Sequence, residues 1–325
     1  MKSPKKIFTV GGGKGGIGKS ILSVNLAAAT ALAGNTVVLV DTDLGSSNIH
    51  ALLGVRHPKS GFHDFFTQEE LDPNAYLLDT KIDNLKILSC AGDMPGITSL
   101  APFFHHKILT FIVHVKADYV FLDLAPGSNH HTADFFNLGD RKIVVTTPEI
   151  TSIMNSFGFL KATLFRKLSE KFDNKPYIRA LIDYSMNPDP SEQINEIDEF
   201  KARLKTLHPP SVKVVEAITR DYKPCLVVNR VRKKRDLIMA ENFITLTKKY
   251  LNIDVTMAGY IIESESVRNS VDEMVPFLFK DPESKPSEGL QDIIRGLTNT
   301  DTNLVKKNGN IIASHKTDLK TSFNS

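Results

Sequence analysis

The residues with the clearest chemical potential form a glycine-rich stretch near the start of the chain. Residues 10–20 read V-G-G-G-K-G-G-I-G-K-S, and the spacing of Gly13, Gly18, Lys19 and Ser20 is that of a Walker A loop. Glycines let backbone N–H groups close around phosphate oxygens where a helix begins. Lys19 is then expected on the β- and γ-phosphates and Ser20 on Mg²⁺. Because Lys14 adds a second cation inside the loop, the sequence predicts a phosphate site with two lysines.

Acidic residues follow two apolar runs further along the chain. Asp41 and Asp43 come after the run at 36–40, and Asp123 ends the run at 118–122. Ligands of doubly wound sheets collect at the carboxyl ends of strands, so these carboxylates are predicted to face the phosphates. An acid that ends a buried strand has Walker B geometry, in which it holds Mg²⁺ directly or through water. Gly127 lets the backbone approach the γ-phosphate.

The elements that must position these residues alternate along the chain. Continuous apolar runs predict buried strands, and apolar residues at helical spacing predict helices between them. This alternation indicates an α/β fold with a doubly wound, mostly parallel sheet. The predicted strands lie at residues 6–10, 36–40, 85–89, 118–122, 141–147, 224–229 and 253–260, and the main predicted helices at 21–33, 100–115, 150–171, 191–207 and 289–297.

Composition is that of a globular protein. Hydrophobic residues make up 41% of the 325 residues, which is enough for a core. The 40 basic and 37 acidic residues give a net charge of +3, too slight to argue for a nucleic-acid partner by itself. The two cysteines, Cys90 and Cys225, form no C-x-x-C pair, and no run of about 18 apolar residues occurs. Since the first residues carry no apolar signal core, we expect a cytoplasmic protein.

The two-lysine loop and the motifs after it resemble the deviant Walker A family of MinD and ParA ATPases. The first switch of that family, Asp-x-Asp-x-Gly-x-x-Asn, is matched at Asp41, Asp43, Gly45 and Asn48. The second switch is matched at Asp123 and Gly127. The resemblance spans residues 5–297 apart from an insertion, and it implies a P-loop ATPase with ATP and Mg²⁺ as cofactors.

The resemblance also implies a role for individual residues. Lys14 would reach across a dimer interface to the partner's nucleotide. Asp43 would orient the attacking water, and Asp41 would support the magnesium shell. Asn229, which ends a buried strand, would read the adenine edge, a task that suits an amide because it offers both a donor and an acceptor.

These roles define the predicted site. The nucleotide contacts are Gly13, Lys14, Gly15, Gly16, Ile17, Gly18, Lys19, Ser20, Ile21, Asn48, Gly127 and Asn229. The catalytic residues are Lys14, Lys19 and Asp43, and the metal-binding residues are Ser20, Asp41 and Asp123. The implied partners are a second copy of the chain, joined through ATP, and a protein activator or effector.

Histidines occur in adjacent pairs. His105 and His106 lie in the predicted helix at 100–115, and His130 and His131 follow the second acidic motif. Neighbouring side chains on a helix point about 100° apart, so such a pair cannot easily share one metal ion. We therefore predict no metal site in this helix, and we interpret His130 and His131 as surface residues.

Two segments depart from the family pattern. Prolines punctuate residues 171–223, which contain one clear helix at 191–207, so we predict a helical insertion within an ATPase domain of residues 1–297. The insertion helix has one apolar stripe, Ile194, Ile197, Phe200 and Leu204, which favours packing on the domain. Residues 298–325 are polar and aperiodic, and we predict a disordered tail. The tail shows no clear amphipathic helix, so peripheral contact with the inner membrane is left open.

Residues 44–54 bring the resemblance nearest to the MinD/FlhG branch, which sets cell-division sites or the placement and number of flagella. The prediction is an ATP-dependent dimerisation switch with slow, Mg²⁺-dependent ATP hydrolysis. The alternative is a ParA-type partition ATPase that binds nonspecific DNA as a dimer. Its support is a basic cluster of Arg230, Arg232, Lys233, Lys234 and Arg235. A third class, a metabolic enzyme or iron–sulfur carrier on this scaffold, would need paired cysteines at metal spacing.

Overall fold

The computed structural model describes residues 5–43, 48–55, 72–89, 101–186 and 196–298. The strands in these residues are β1 (Lys6–Gly11), β2 (Val37–Asp41), β3 (Leu78–Asp79), β4 (Leu85–Leu88), β5 (Tyr119–Asp123), β6 (Arg141–Thr146), β7 (Cys225–Val231) and β8 (Thr256–Ile262). They form a single sheet in the order β3-β4-β2-β5-β1-β6-β7-β8. Neighbouring strands are parallel except β3 and β4, which are antiparallel.

Helices connect the strands and cover both faces of the sheet. They are α1 (Lys19–Leu32), α2 (Ile49–Leu52), α3 (Ala101–His114), α4 (His130–Leu138), α5 (Ile150–Lys171), α6 (Pro176–Ser185), α7 (Ile197–Leu207), α8 (Pro209–Asp221), α9 (Ile238–Leu251), α10 (Glu265–Asp272), α11 (Phe277–Lys280) and α12 (Lys285–Thr298). Short 3₁₀ helices occur at Pro73–Tyr76 and Lys234–Leu237.

The central strands are buried on both faces because their side chains alternate between two apolar layers. In β2, Val37 and Leu39 pack in the layer that contains α1. Val38 and Val40 pack in the opposite layer, which contains residues of α3, α4 and α5. This is the doubly wound, mostly parallel arrangement that the sequence predicted, so the fold-class prediction is confirmed.

Strand register brings the acidic residues to the level of the glycine-rich loop. β1 lies between β5 and β6, and Val10 pairs with Asp123 one residue before β1 ends. On the other side of β5, Asp41 of β2 also pairs with Asp123. The carboxyl ends of β1, β2 and β5 therefore meet at one edge of the sheet, where the site was predicted.

The segment predicted to be an insertion, residues 171–223, contains more structure than predicted. Residues 191–195 lie outside the described residues, and the predicted helix is present as α7, but α6 and α8 flank it. The prediction of one clear helix was wrong because prolines were interpreted as breaks. Pro176 and Pro209 instead open α6 and α8, at the first helical position, where no N–H partner is needed.

The insertion packs on the end of α5, as the apolar stripe of α7 predicted. Ile197, Phe200 and Leu204 are buried in a separate cluster with Phe165 and Leu168 of α5. The rings of Phe165 and Phe200 meet edge to face, with centroids 5.5 Å apart. The insertion thus has an apolar core of its own, built around the last turns of α5.

Other boundaries shift by a few residues. The final helix, α12, begins at Lys285 rather than 289 and includes Thr298, which the sequence assigned to the tail. The rest of the predicted tail, 299–325, and Gly45 of the first switch lie outside the described residues. The two-residue strand β3 was not predicted.

We expect Phe200→Ala to lower the free energy of unfolding by about 3–5 kcal/mol, because it leaves a cavity in the insertion core. The matched control is Leu207→Ala on the same helix, where the side chain is 52% exposed and the expected change stays within about 0.5 kcal/mol. Urea unfolding followed by circular dichroism measures both. Equal losses in the two variants would contradict the packing described here.

Candidate functional site

The glycine-rich loop joins β1 to α1 through left-handed backbone. Gly16 has a φ of 74° and Gly18, the N-cap of α1, has a φ of 91°, a region that residues with a side chain rarely adopt. The loop therefore ends at a helix N-terminus, where partial positive charge favours an anion. This is the local geometry that the Walker A spacing predicted.

Two further glycines are required because other parts of the chain lie against the loop. A Cβ on Gly13 would lie 2.0 Å from the carbonyl oxygen of Asn155 in α5, and a Cβ on Gly12 would lie 2.7 Å from that of Val145 in β6. Gly13 was predicted from the motif. Gly12 was missed, because the need for it arises from a strand far away in sequence.

The two lysines of the loop have different surroundings. Lys19 is buried, and its Nζ donates to the carbonyl oxygen of Lys14 at 3.3 Å. Burial lowers the pKa of Lys19, while the nearby Asp123 and Asp43 carboxylates act in the opposite direction. Lys14, in contrast, is exposed. One ammonium thus lies inside the site, and the other is at its surface.

Asp123 supplies a buried carboxylate beside Lys19. The hydroxyls of Ser20 and Ser23 hydrogen-bond to it, the latter at 2.8 Å. Burial raises the pKa of Asp123 from 3.8 to about 6. A desolvated carboxylate with a serine hydroxyl next to it is an oxygen donor set that fits Mg²⁺. Ser23 was not predicted, although it lies one helical turn after Ser20.

Asp41 organises the first switch. One carboxylate oxygen accepts a hydrogen bond from the backbone N–H of Asp43 at 2.9 Å, and the other accepts one from the backbone N–H of Asn48 at 3.2 Å. Asp41 is buried, and Asp43 is partly exposed. The structure therefore brings Asp41, Asp43 and Asn48 together, and the Asp41 carboxylate holds the backbone on both sides of the switch.

Gly127 follows β5 in the chain, and Asn229 in β7 contacts the loop. Gly127 has a φ of 96°, and a Cβ there would meet no atom within 4 Å. The Asn229 amide donates from Nδ2 to the carbonyl oxygen of Ile17 at 2.8 Å, and its Oδ1 accepts from the N–H of Arg230 at 3.0 Å. Asn229 thus fastens the loop to β7. An amide has a second N–H and a second lone pair, so adenine contact stays a prediction.

The basic cluster lies directly after Asn229, and all five of its side chains are exposed. Arg232 forms an ion pair with Glu263. The Asp236 carboxylate accepts from the backbone N–H groups of Arg232 and Lys233 at 2.9 and 3.1 Å. Acidic groups therefore offset part of the positive charge on this surface.

In the described residues, no helix combines the length and the apolar composition needed to span a membrane.

A left-handed glycine loop, a buried lysine and buried strand-end carboxylates together define a P-loop nucleotide-binding protein. The ParA family model, described as NUBPL iron-transfer P-loop NTPase, matches residues 3–169. The chain belongs to this family of P-loop NTPases, related to MinD, as its loop and switch motifs indicated.

Curated relatives match over about half of their own length. The antiactivator FleN of Pseudomonas aeruginosa is 29% identical over 49% of this chain and 56% of that protein. The septum site-determining protein MinD of Bacillus subtilis is 32% identical over 44% of this chain and 54% of its own. The flagellum site-determining protein YlxH of Helicobacter pylori is 29% identical over 49% of this chain and 54% of that protein.

Solved structures share the fold. The cell division ATPase MinD of Pyrococcus furiosus superimposes with a TM-score of 0.61 over 91% of this chain and 99% of that one, at 20% identity. MinD of Pyrococcus horikoshii, which is complexed with Mg-ADP, superimposes with a TM-score of 0.59 over 92% of this chain and 96% of that one, at 19% identity.

The raised pKa of Asp123 predicts how folding depends on pH. A carboxyl group whose pKa rises from 3.8 to about 6 on folding costs stability as the pH rises between those values. We expect the free energy of unfolding of Asp123→Asn, relative to that of the wild type, to rise by about 1–3 kcal/mol between pH 4 and pH 6. Above pH 6 the difference between the two proteins should stay constant. Urea unfolding of nucleotide-free, Mg²⁺-free protein across this range measures the gain. Asp183→Asn, at an exposed position, is the control. A difference between Asp123→Asn and the wild type that does not change with pH would contradict the burial of this carboxylate.

Proposed function

We propose that this protein is an ATP-dependent dimerisation switch that hydrolyses ATP slowly with Mg²⁺. The observation that carries the proposal is the different burial of two lysines in one loop. Lys19 is buried beside Asp123, where it can neutralise the phosphates of the nucleotide bound to its own chain. Lys14 is exposed next to the same phosphate site. An exposed ammonium at that place is available to the nucleotide of a second molecule.

An apolar surface beside the loop supports a second copy as the partner. Ile150 and Met154, one turn apart at the start of α5, are 70% and 58% exposed. The next residue, Asn155, is the one whose backbone lies against Gly13. A dimer that brings Lys14 to the other nucleotide would therefore cover these side chains as well, and their burial would favour association.

The remaining residues fit the chemistry of phosphoryl transfer to water. Ser20 and Asp123 would hold Mg²⁺, whose chemistry there would be to neutralise charge on the phosphates. Asp43 would orient the attacking water, and the hydrogen bond from its N–H to Asp41 holds its backbone for that task. Phosphoryl transfer depends mainly on positioning and electrostatics, so a slow ATPase needs little covalent help from the protein.

The relatives suggest the process. Their names describe septum site determination, flagellum site determination and antiactivation. We infer that this chain is a regulator of spatial organisation of the same kind, acting through a protein effector. MinD of Aquifex aeolicus has been solved as a cell division protein complex with MinC.

Two other functions have weaker support. A DNA-binding partition ATPase would use the basic cluster. Within that cluster, however, Arg232 forms an ion pair with Glu263, and the Asp236 carboxylate accepts hydrogen bonds from the backbone N–H groups of Arg232 and Lys233. Iron transfer, named in the family description, needs thiolate ligands. The sequence has two cysteines, and Cys225 lies in β7, where burial raises the pKa of its thiol and disfavours the thiolate.

Size-exclusion chromatography with ATP and Mg²⁺ tests the proposal through two substitutions. Lys14→Ala should bind ATP and stay monomeric, because the group that reaches the second nucleotide is gone. Asp43→Ala should form a persistent dimer, because it keeps the phosphate contacts, loses water positioning and removes a negative charge near the γ-phosphate. Lys223→Ala, at an exposed lysine before β7, should behave like the wild type.

A dimer of Lys14→Ala, or a monomer of Asp43→Ala at saturating ATP, would show that this chain is not an ATP-driven dimerisation switch. Salt-sensitive retention of the ATP-bound wild type on nonspecific DNA would instead favour the partition function.

Asn229→Ala separates two roles of that side chain. If the amide reads adenine, the variant should bind ATP more weakly by about 1–3 kcal/mol and lose the preference of the wild type for ATP over GTP. Titration of both nucleotides into the monomeric protein measures this. Equal losses for ATP and GTP would mean that Asn229 acts only by fastening the loop at Ile17.

A further inference from the structure

A second cluster of metal-binding side chains lies where α3 packs beside α4. His105 comes from α3, and His131 and Asp134 come from α4. One donor atom from each side chain lies within 4.8 Å of the other two. His131 and Asp134 are three residues apart on one helix and share a face, so both can point toward α3. None of the three residues belongs to the predicted nucleotide site.

Two nitrogens in this cluster are buried without a hydrogen-bond partner. They are Nε2 of His105 and Nδ1 of His131, and no other buried side-chain polar atom in the described residues has this property. The Asp134 Oδ2 atom is 3.5 Å from His105 Nε2. The two imidazole rings lie 5.1 Å apart between centroids. A buried polar atom without a partner is costly, and two of them occur in this one cluster of three side chains.

We propose that His105, His131 and Asp134 bind a divalent transition-metal ion of the zinc class. Two imidazole nitrogens and one carboxylate oxygen form a donor set that zinc accepts, and three protein ligands leave one position for water. Mg²⁺ prefers oxygen ligands, so this site is chemically distinct from the one at Ser20 and Asp123. A single bound ion would give a partner to both buried nitrogens.

Arg166 holds the carboxylate of the site in place. Its Nε donates to Asp134 Oδ1 at 2.5 Å, and its second donor reaches Oδ2 at 3.0 Å. Each carboxylate oxygen has two lone pairs, so Oδ2 can bind a metal while it accepts from Arg166. Metal-binding carboxylates are commonly hydrogen-bonded in this way. Glu170 lies 3.7 Å from Arg166, and burial together with a hydrogen bond to Asp134 raises its pKa to about 7.

The site was not predicted from the sequence because each of its two histidines belongs to a different adjacent pair, and only one member of each pair contributes. The sequence predicted no metal site in the helix of His105 and His106, and the proposed site departs from that prediction because its ligands come from two helices. His106 is exposed. The interpretation of His130 and His131 as surface residues holds for His130, which is exposed, and only in part for His131, which is partly exposed with a buried Nδ1. The exposed members, His106 and His130, provide matched controls.

Zinc titration of the full-length, tag-free and metal-free protein tests the proposal. Calorimetry is carried out without nucleotide and with excess Mg²⁺, so that oxygen-ligand sites are occupied. We expect one Zn²⁺ per chain. His105→Gln and His131→Gln should each weaken binding at least tenfold, whereas His106→Gln and His130→Gln should bind as the wild type does. Circular dichroism and ATP affinity establish that each variant is folded.

Co²⁺ absorption of the wild type gives a result that does not depend on variants. The proposal predicts the intense visible bands of four-coordinate cobalt with nitrogen ligands, and their displacement by one equivalent of Zn²⁺. A weak octahedral spectrum, no stoichiometric zinc uptake, or equal losses in the exposed-histidine controls would each overturn the assignment.

Discussion

The backbone of β6 and α5 lies directly against the glycine-rich loop, and the rest of the site depends on that contact. The loop touches β6 at Gly12 and α5 at Gly13, at distances that leave no room for a side chain. On the opposite side the Asn229 amide reaches Ile17, so β7 is attached as well. Since the loop is fixed by three elements, Lys19 and Ser20 begin α1 at a defined distance from Asp123. Electrostatic stabilisation of a transferring phosphoryl group needs this kind of preorganised position.

α5 is the element that joins the site to the insertion. Its first turns carry the exposed Ile150 and Met154 and the backbone of Asn155, and its last turns carry Phe165 and Leu168 of the insertion core. The helix has 22 residues, which corresponds to a length of about 33 Å. A partner that binds the insertion would therefore act on the same rigid helix that lies against the phosphate loop.

The sequence allowed prediction of those features whose causes are local. The loop glycines, Lys19, and the acids that end β2 and β5 follow from spacing within one strand–loop–helix unit. The unpredicted features depend on residues far apart in sequence, such as Gly12 with Val145, Asn229 with Ile17, and His105 with His131. Pro176 and Pro209 were misinterpreted because a proline can end one segment or open the next helix, and tertiary packing decides between them.

The central claim is that Lys14 acts on the nucleotide bound to the partner, whereas Asp43 acts on the nucleotide bound to its own chain. Mixing the Lys14→Ala and Asp43→Ala proteins and measuring ATP hydrolysis tests this most directly. In a mixed dimer, the nucleotide on the Lys14→Ala chain has its own Asp43 and the Lys14 of the other chain, so one complete site is restored. The mixture should hydrolyse ATP at a rate well above the sum of the rates of the two inactive variants. A mixture no more active than that sum would contradict the claim.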